Sequence, residues 1–246
     1  MIAMAVLAIA SGCVPAHSRA GDVRQPTNVV GATSEEVYYV EGGWGHLKFG
    51  AVNDGGRRPF NIETVSDGNE CAIKGEVSKD LQSLTVFPIS ATSKCDIAMS
   101  QTSAGVEVVA GSDGCSDYCG YNASFEGVYL AVDPICTSES IESITQQLPL
   151  DVVGGDNALV TAERALQVCK KTMTYYTSSK LRVEAAKAFE RAGDRKECAL
   201  MLSPYAEDVS KTEDELAEGK TPNALGDILE VMDLVRPVLM RCQTVG

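Results

Sequence analysis

Histidine is scarce in this chain: His17 and His46 are the two in 246 residues. That scarcity excludes an HExxH zinc site and any centre built from several imidazoles. A Ser-His-Asp or Cys-His relay would have to draw on His46. Neither a Walker loop nor a GxGxxG fingerprint occurs, so no phosphate-cradling loop is evident. Basic residues are also in deficit: 21 Lys and Arg stand against 34 Asp and Glu, a net charge of −13. That balance opposes binding to nucleic acid or anionic lipid through charge and favours a cationic partner. No apolar run approaches the roughly 20 residues of a membrane span. No cofactor and no metal is expected.

What is present begins with MIAMAVLAIASGC, apolar to Ala10, then small, then Cys13. The pattern is that of an export signal, expected over residues 1–12. Ala10-Ser11-Gly12-Cys13 resembles the bacterial lipobox, matching its last three positions, with Ala10 where the family prefers Leu. The resemblance implies a lipidated Cys13 and a membrane anchor. Val14, rather than Asp, follows that cysteine, which in such lipoproteins implies outer-membrane anchoring facing the periplasm. Residues 13–35 are rich in Pro, Ser, Gly, Ala and Thr without periodicity, the composition of a flexible tether.

Of nine cysteines, setting aside Cys13 leaves eight: Cys71, Cys95, Cys115, Cys119, Cys136, Cys169, Cys198 and Cys242. An even number in an exported chain points to a disulfide framework. On an extended strand Cys115 and Cys119 would stand about 13 Å apart, too far to bridge, so their pairing requires a turn through Ser116-Asp117-Tyr118. The expected bridges are Cys115–Cys119 and Cys71–Cys95, with Cys136 joined to one of the last three. Five of the eight precede residue 140 and three follow it, so full pairing requires a bridge between the two groups.

The chain falls into two halves. Residues 36–136 read as short strands (VYYVE, HLKFGAV, FNIETVS, CAIKGEVS, SLTVFPI, CDIAMSQ, VEVVAG and SFEGVYLAV) separated by Gly, Asn, Asp and Ser clusters. This is an antiparallel sandwich or small barrel. Over residues 137–246 the period lengthens to that of helices. DNALVTAERALQVCKKTMTYY reads as one helix, and Leu181, Ala185, Ala188, Phe189 and Ala192 form a stripe on the next, ended at Gly193. RKECALMLSPYAED follows, stopped near Pro204, with Cys198 on the side of Met201, Leu202 and Tyr205. A last helix starts near Pro222 and should kink at Pro237. The fold class is α+β. AAKAFERAGDRKECALMLSPY resembles one tetratricopeptide-type helix pair, an αα-hairpin, though an array needs about three units.

His46 lies in a predicted strand behind Gly42-Gly43-Trp44-Gly45, a stretch able to approach a ligand, which makes Trp44 and His46 candidate binding residues. Tyr118 and Tyr121 are two more, on the expected cysteine turn. Glu35-Glu36, Glu207-Asp208 and Glu213-Asp214-Glu215 read as solvated faces rather than acid–base pairs. GCSDYCGYNASFEGVY resembles a CxxxCGxxASFxGxY signature of bacterial envelope lipoproteins, through Cys115, Cys119, Gly120, Ala123, Ser124, Phe125, Gly127 and Tyr129. The resemblance implies a small β domain with two earlier cysteines and a helical C-terminal region. More distantly the β half is similar to periplasmic lysozyme inhibitors, without their Ser-Gly loop. The expectation is a non-catalytic envelope lipoprotein that binds or scaffolds a protein partner. The alternative is an inhibitor of a cationic cell-wall hydrolase such as lysozyme; an enzyme using His46 ranks third.

Overall fold

Alternation of apolar and polar residues decides the architecture of the first half. In the computed structural model, which describes residues 35–66, 68–90, 94–149 and 156–243, eight antiparallel strands form. They are β1 (Glu36–Val40), β2 (Gly45–Phe49), β3 (Arg57–Ser66), β4 (Asn69–Ser78), β5 (Leu84–Val86), β6 (Ile97–Gln101), β7 (Gly105–Ala110) and β8 (Gly127–Ala131). The order is β5-β4-β3-β2-β1-β8-β7-β6. Strands adjacent in sequence pair except β5 with β6, and β8 returns to β1 with Tyr39 opposite Leu130. Among the described residues only β5 and β6 share no ladder, so the sheet is a nearly closed, barrel-like meander. Side chains of one parity fill it: Leu47, Phe49, Phe60, Ile62, Ile73, Val106, Val108 and Tyr129 are buried together. Residues of the other parity, such as Lys48, Glu63 and Lys74, face outward. The expected export leader at residues 1–12, Cys13 and all but the last residue of the expected tether at 13–35 lie outside the described residues.

The segment between β7 and β8 covers one end of this barrel. Phe125, Tyr118 and Cys115 are buried in the barrel core. Thr64 at the end of β3 donates its hydroxyl to the Ser124 carbonyl at 2.8 Å. Tyr129 donates to the Phe125 carbonyl at 2.6 Å, and the Gly120 amide reaches the Glu70 carbonyl at 2.8 Å.

The bridges here differ from the expected ones: they are Cys71–Cys119 and Cys95–Cys115. The required turn does exist, since Asp113–Tyr118 is a 3-10 helix. Its tight winding, three residues per turn, sets Cys115 and the capping residue Cys119 on different sides. Cys115 meets the lead-in to β6. Cys119, already extended, lies against β4 as a bridge partner of Cys71. One turn is thereby pinned at two points rather than closed on itself.

The helices are α1 (Ser138–Gln147), α2 (Asp156–Val168), α3 (Tyr175–Arg191), α4 (Arg195–Met201), α5 (Glu213–Ala217) and α6 (Pro222–Gln243). Local chemistry starts them. Thr137, Thr174 and Asp194 each accept an amide of the first turn, and Thr212 with Glu215 forms a capping box. Gly193 ends α3 at φ +80°. The stretch read as one helix to Tyr176 is in fact two. The Cys169 carbonyl takes the amides of both Thr172 and Met173, and Thr174 then caps a fresh helix. Helix α6 runs through Pro237 to Gln243.

Two apolar cores result. One gathers α1, α2 and the Leu181–Ala185–Ala188 side of α3 about the Cys136–Cys169 bridge. The other gathers α4, α6 and the Val183–Ala186 side of α3 about Cys198–Cys242. Cys136–Cys169 is the bridge that joins the first five cysteines to the last three.

Closing a loop across 48 positions removes much unfolded-state entropy. Replacing both Cys71 and Cys119 by Ala is therefore expected to cost about 4 kcal/mol in urea unfolding. Disulfide mapping of the unreduced protein should find no Cys115–Cys119 bridge; finding one would overturn the pinned turn.

Candidate functional site: two clefts beside the Gly42–Gly45 turn

The turn between β1 and β2 is where the barrel meets the helices. Gly42 and Gly43 both adopt positive φ, +92° and +73°, which glycine does at little cost. The Gly42 amide donates to the Lys171 carbonyl at 2.7 Å. Gly43 lies so close to the turn between α2 and α3 that a Cβ there would fall 2.6 Å from the Thr172 carbonyl oxygen. Nearby, the outward-facing Tyr39 is buried, and its hydroxyl accepts the Ser138 amide at 3.1 Å at the start of α1. Barrel and helices are thus fastened at Gly42–Gly43 and again at Tyr39.

A cleft opens on each side of this contact. The first, about 490 Å³, lies between β1, α1 and α3. Tyr39, Ser138, Ile141, Glu142 and Thr145 line one wall; Met173, Tyr176, Thr177, Lys180 and Glu184 line the other. The second, about 830 Å³, runs between the Trp44 turn and the start of α6. Trp44, Val65, Gly68, Asn223, Asp227 and Glu230 line it, with no Lys or Arg among the described residues that do so. Both volumes lie in the range of ligand-binding clefts. Tyr176 belongs to both neighbourhoods: it lines the first cleft and donates its hydroxyl to Glu230 of the second at 2.8 Å. That hydrogen bond to a carboxylate holds the Tyr176 pKa above its ordinary value.

The four residues singled out in the sequence do not converge. Trp44 is half-buried and lines the second cleft. His46 sits on the outer face of β2, its ring 6.2 Å from that of Tyr39 and its Nε2 3.4 Å from Glu63 Oε2. That Nε2 is shielded from solvent without a hydrogen bond, while the other Glu63 oxygen, Oε1, accepts from Asn61 at 2.7 Å. Desolvation, then the Lys48 charge, pushes the His46 pKa down against the opposing carboxylates Glu63, Glu139 and Glu35. Tyr118, a candidate binding residue on the cysteine turn, does not face outward. It is 6% exposed, and its hydroxyl donates to the Phe87 carbonyl, just past β5, at 3.2 Å. Tyr121 is 82% exposed. The walls of the first cleft carry no local sequence signal, since Tyr39, Ser138 and Lys180 meet only through the fold.

Among the described residues no group of three or more His, Cys, Asp or Glu side chains is placed to hold a metal. No described helix is long and apolar enough to cross a membrane. Comparison with family models, curated proteins and solved structures returns no match.

Gly43→Ala combines a left-handed backbone with a clash against backbone atoms, so it should lower stability by about 2 kcal/mol or more in chemical denaturation. A fully stable Gly43→Ala protein would contradict the tight contact. His46 titrates below its ordinary 6.5 in the folded chain. The unfolded state then binds more protons as pH falls, so stability declines on acidification through and below 6.5. Thermal melts of His46→Gln should show a shallower decline than the parent over that interval.

Proposed function

We propose that this chain is a non-catalytic, lipid-anchored binding module of the bacterial cell envelope, and that its partner is a cationic protein. The observation that carries the reading is the groove beside Trp44. It sets an indole and the half-exposed Val65 next to the carboxylates of Asp227 and Glu230. A lysine or arginine side chain gains there from the ring face, about 0.5–1 kcal/mol at exposed sites, and from charge-assisted hydrogen bonds. Tyr176 restrains Glu230 beforehand, which reduces the ordering needed on binding. The net charge of −13 would speed encounter with a cationic partner. Four disulfides suit an oxidising compartment, in keeping with export and with acylation at Cys13. The likeness of the α3–α4 stretch to a tetratricopeptide helix pair, although α4 has only 7 residues, adds a second face of the kind that binds segments of other proteins.

A second reading, inhibition of a cationic cell-wall hydrolase such as lysozyme, is favoured by Tyr121. This aromatic projects from a turn pinned by two disulfides, a rigid shape suited to entering an enzyme cleft.

Lysozyme serves as the cationic probe for both. Biolayer interferometry on the detergent-solubilised full chain is expected to show binding that weakens as salt rises. Asp227→Asn combined with Glu230→Gln should reduce affinity about tenfold at unchanged melting temperature. Binding without effect in a turbidity assay supports the module, and inhibition lost in Tyr121→Ala supports the second reading. No binding even at low salt removes both.

A further inference from the structure

The first cleft has a chemistry that the groove beside Trp44 does not share. Its α1 wall carries Glu142 and its α3 wall carries Lys180. Among the described residues neither forms an ion pair, with the other or with a third group. The Glu142 carboxylate accepts the Gln146 amide at 3.0 Å. Glu184, the other acidic group on the lining, is already met by Lys187 at 2.7 Å. Opposite charges that line one cleft without meeting each other form the complement of a ligand bearing both charges. A dianion or a dication would meet one like charge there.

The rest of the lining narrows the ligand. Ile141 on one wall and Met173 on the other add apolar surface to the cleft. Several hydroxyls are satisfied within the protein: Tyr39 with Ser138, Thr174 with Thr177, and Thr172 with the Cys169 carbonyl. Orientation therefore falls to the two charges. The walls are set before any ligand arrives, because Cys136–Cys169 ties the chain ahead of α1 to the end of α2 and the Tyr39–Ser138 contact fixes the start of α1. A cleft of about 490 Å³ would be left largely empty by a single amino acid, whereas two or three residues fill it.

We propose that this cleft binds a di- or tripeptide with both ends free. Its α-ammonium lies at Glu142, its α-carboxylate at Lys180, and an apolar side chain rests over Ile141 and Met173. The four residues that hold the peptide, Glu142, Lys180, Ile141 and Met173, do not line the Trp44 groove, so the proposal stands independently of the cationic-partner reading.

Titration calorimetry of the full chain with Ala-Leu-Ala tests it. Binding is expected in the micromolar to millimolar range. N-acetylation or C-terminal amidation should each weaken it about tenfold, the loss of one charge-assisted contact. Glu142→Gln should abolish the effect of acetylation, and Lys180→Met that of amidation. Both side chains are exposed, so neither change threatens the fold. Double reversal, Glu142→Lys with Lys180→Glu, should restore affinity, since a peptide with opposite ends can turn round. Lys170→Met, exposed and outside the cleft, should change nothing. Absence of binding at about 10 mM peptide, weaker than any useful affinity, would overturn the proposal. So would equal affinity for free and doubly capped peptides.

Discussion

The pairing of the first strand with the last is the contact on which the rest of the molecule depends. Tyr38 and Ala131 are neighbours across the sheet although 93 positions separate them (131 − 38). Once β8 lies on β1, the chain leaves the barrel beside Tyr39, whose hydroxyl then meets Ser138 at the start of α1. Cys136 falls within reach of Cys169, and the α2–α3 turn settles on Gly43. Such a long-range pairing must be formed against a large loop-closure entropy. The cap over the barrel end contributes what the short β8 ladder alone lacks: two disulfides, a buried phenylalanine and hydrogen bonds to β3 and β4.

Much of this was legible in the residues. All eight strands stand where alternation and turn clusters put them, because a half-buried strand writes its two faces directly into the sequence. Phe60, Ile62 and Thr64 share the inward face, and Leu181, Ala185 and Ala188 share a buried one. The errors have a common cause. Pairing Cys115 with Cys119 treats a turn as an isolated object, whereas its direction is set by β4 and by the lead-in to β6. Reading one helix through Cys169 fails likewise: residues with helical spacing are interrupted by a turn at the Cys169 carbonyl, after which Thr174 caps a new helix. Helix α1 is quiet in sequence because only Ile141 and Ile144 in it are buried.

The clefts were partly legible. Gly42-Gly43-Trp44-Gly45 announces a backbone that must approach something closely, and it does, although what it approaches is the protein's own α2–α3 turn. Trp44 comes to a groove as a consequence. Asp227, Glu230, Glu142 and Lys180 look like any charges on amphipathic helices. What distinguishes them is the wall opposite, and that wall lies elsewhere in the chain. Tyr118 and Tyr121, three positions apart, show the same limit, since one closes a seam and the other stands in solvent.

Helix α3 contributes fully buried residues to both helical cores. Leu181 and Val183 lie only two positions apart, yet each is sealed into a different core. Neither core can lose its packing without stripping the helix that completes the other. The two therefore behave as one cooperative folding unit rather than as separable subdomains, and opening of that unit is shared across it.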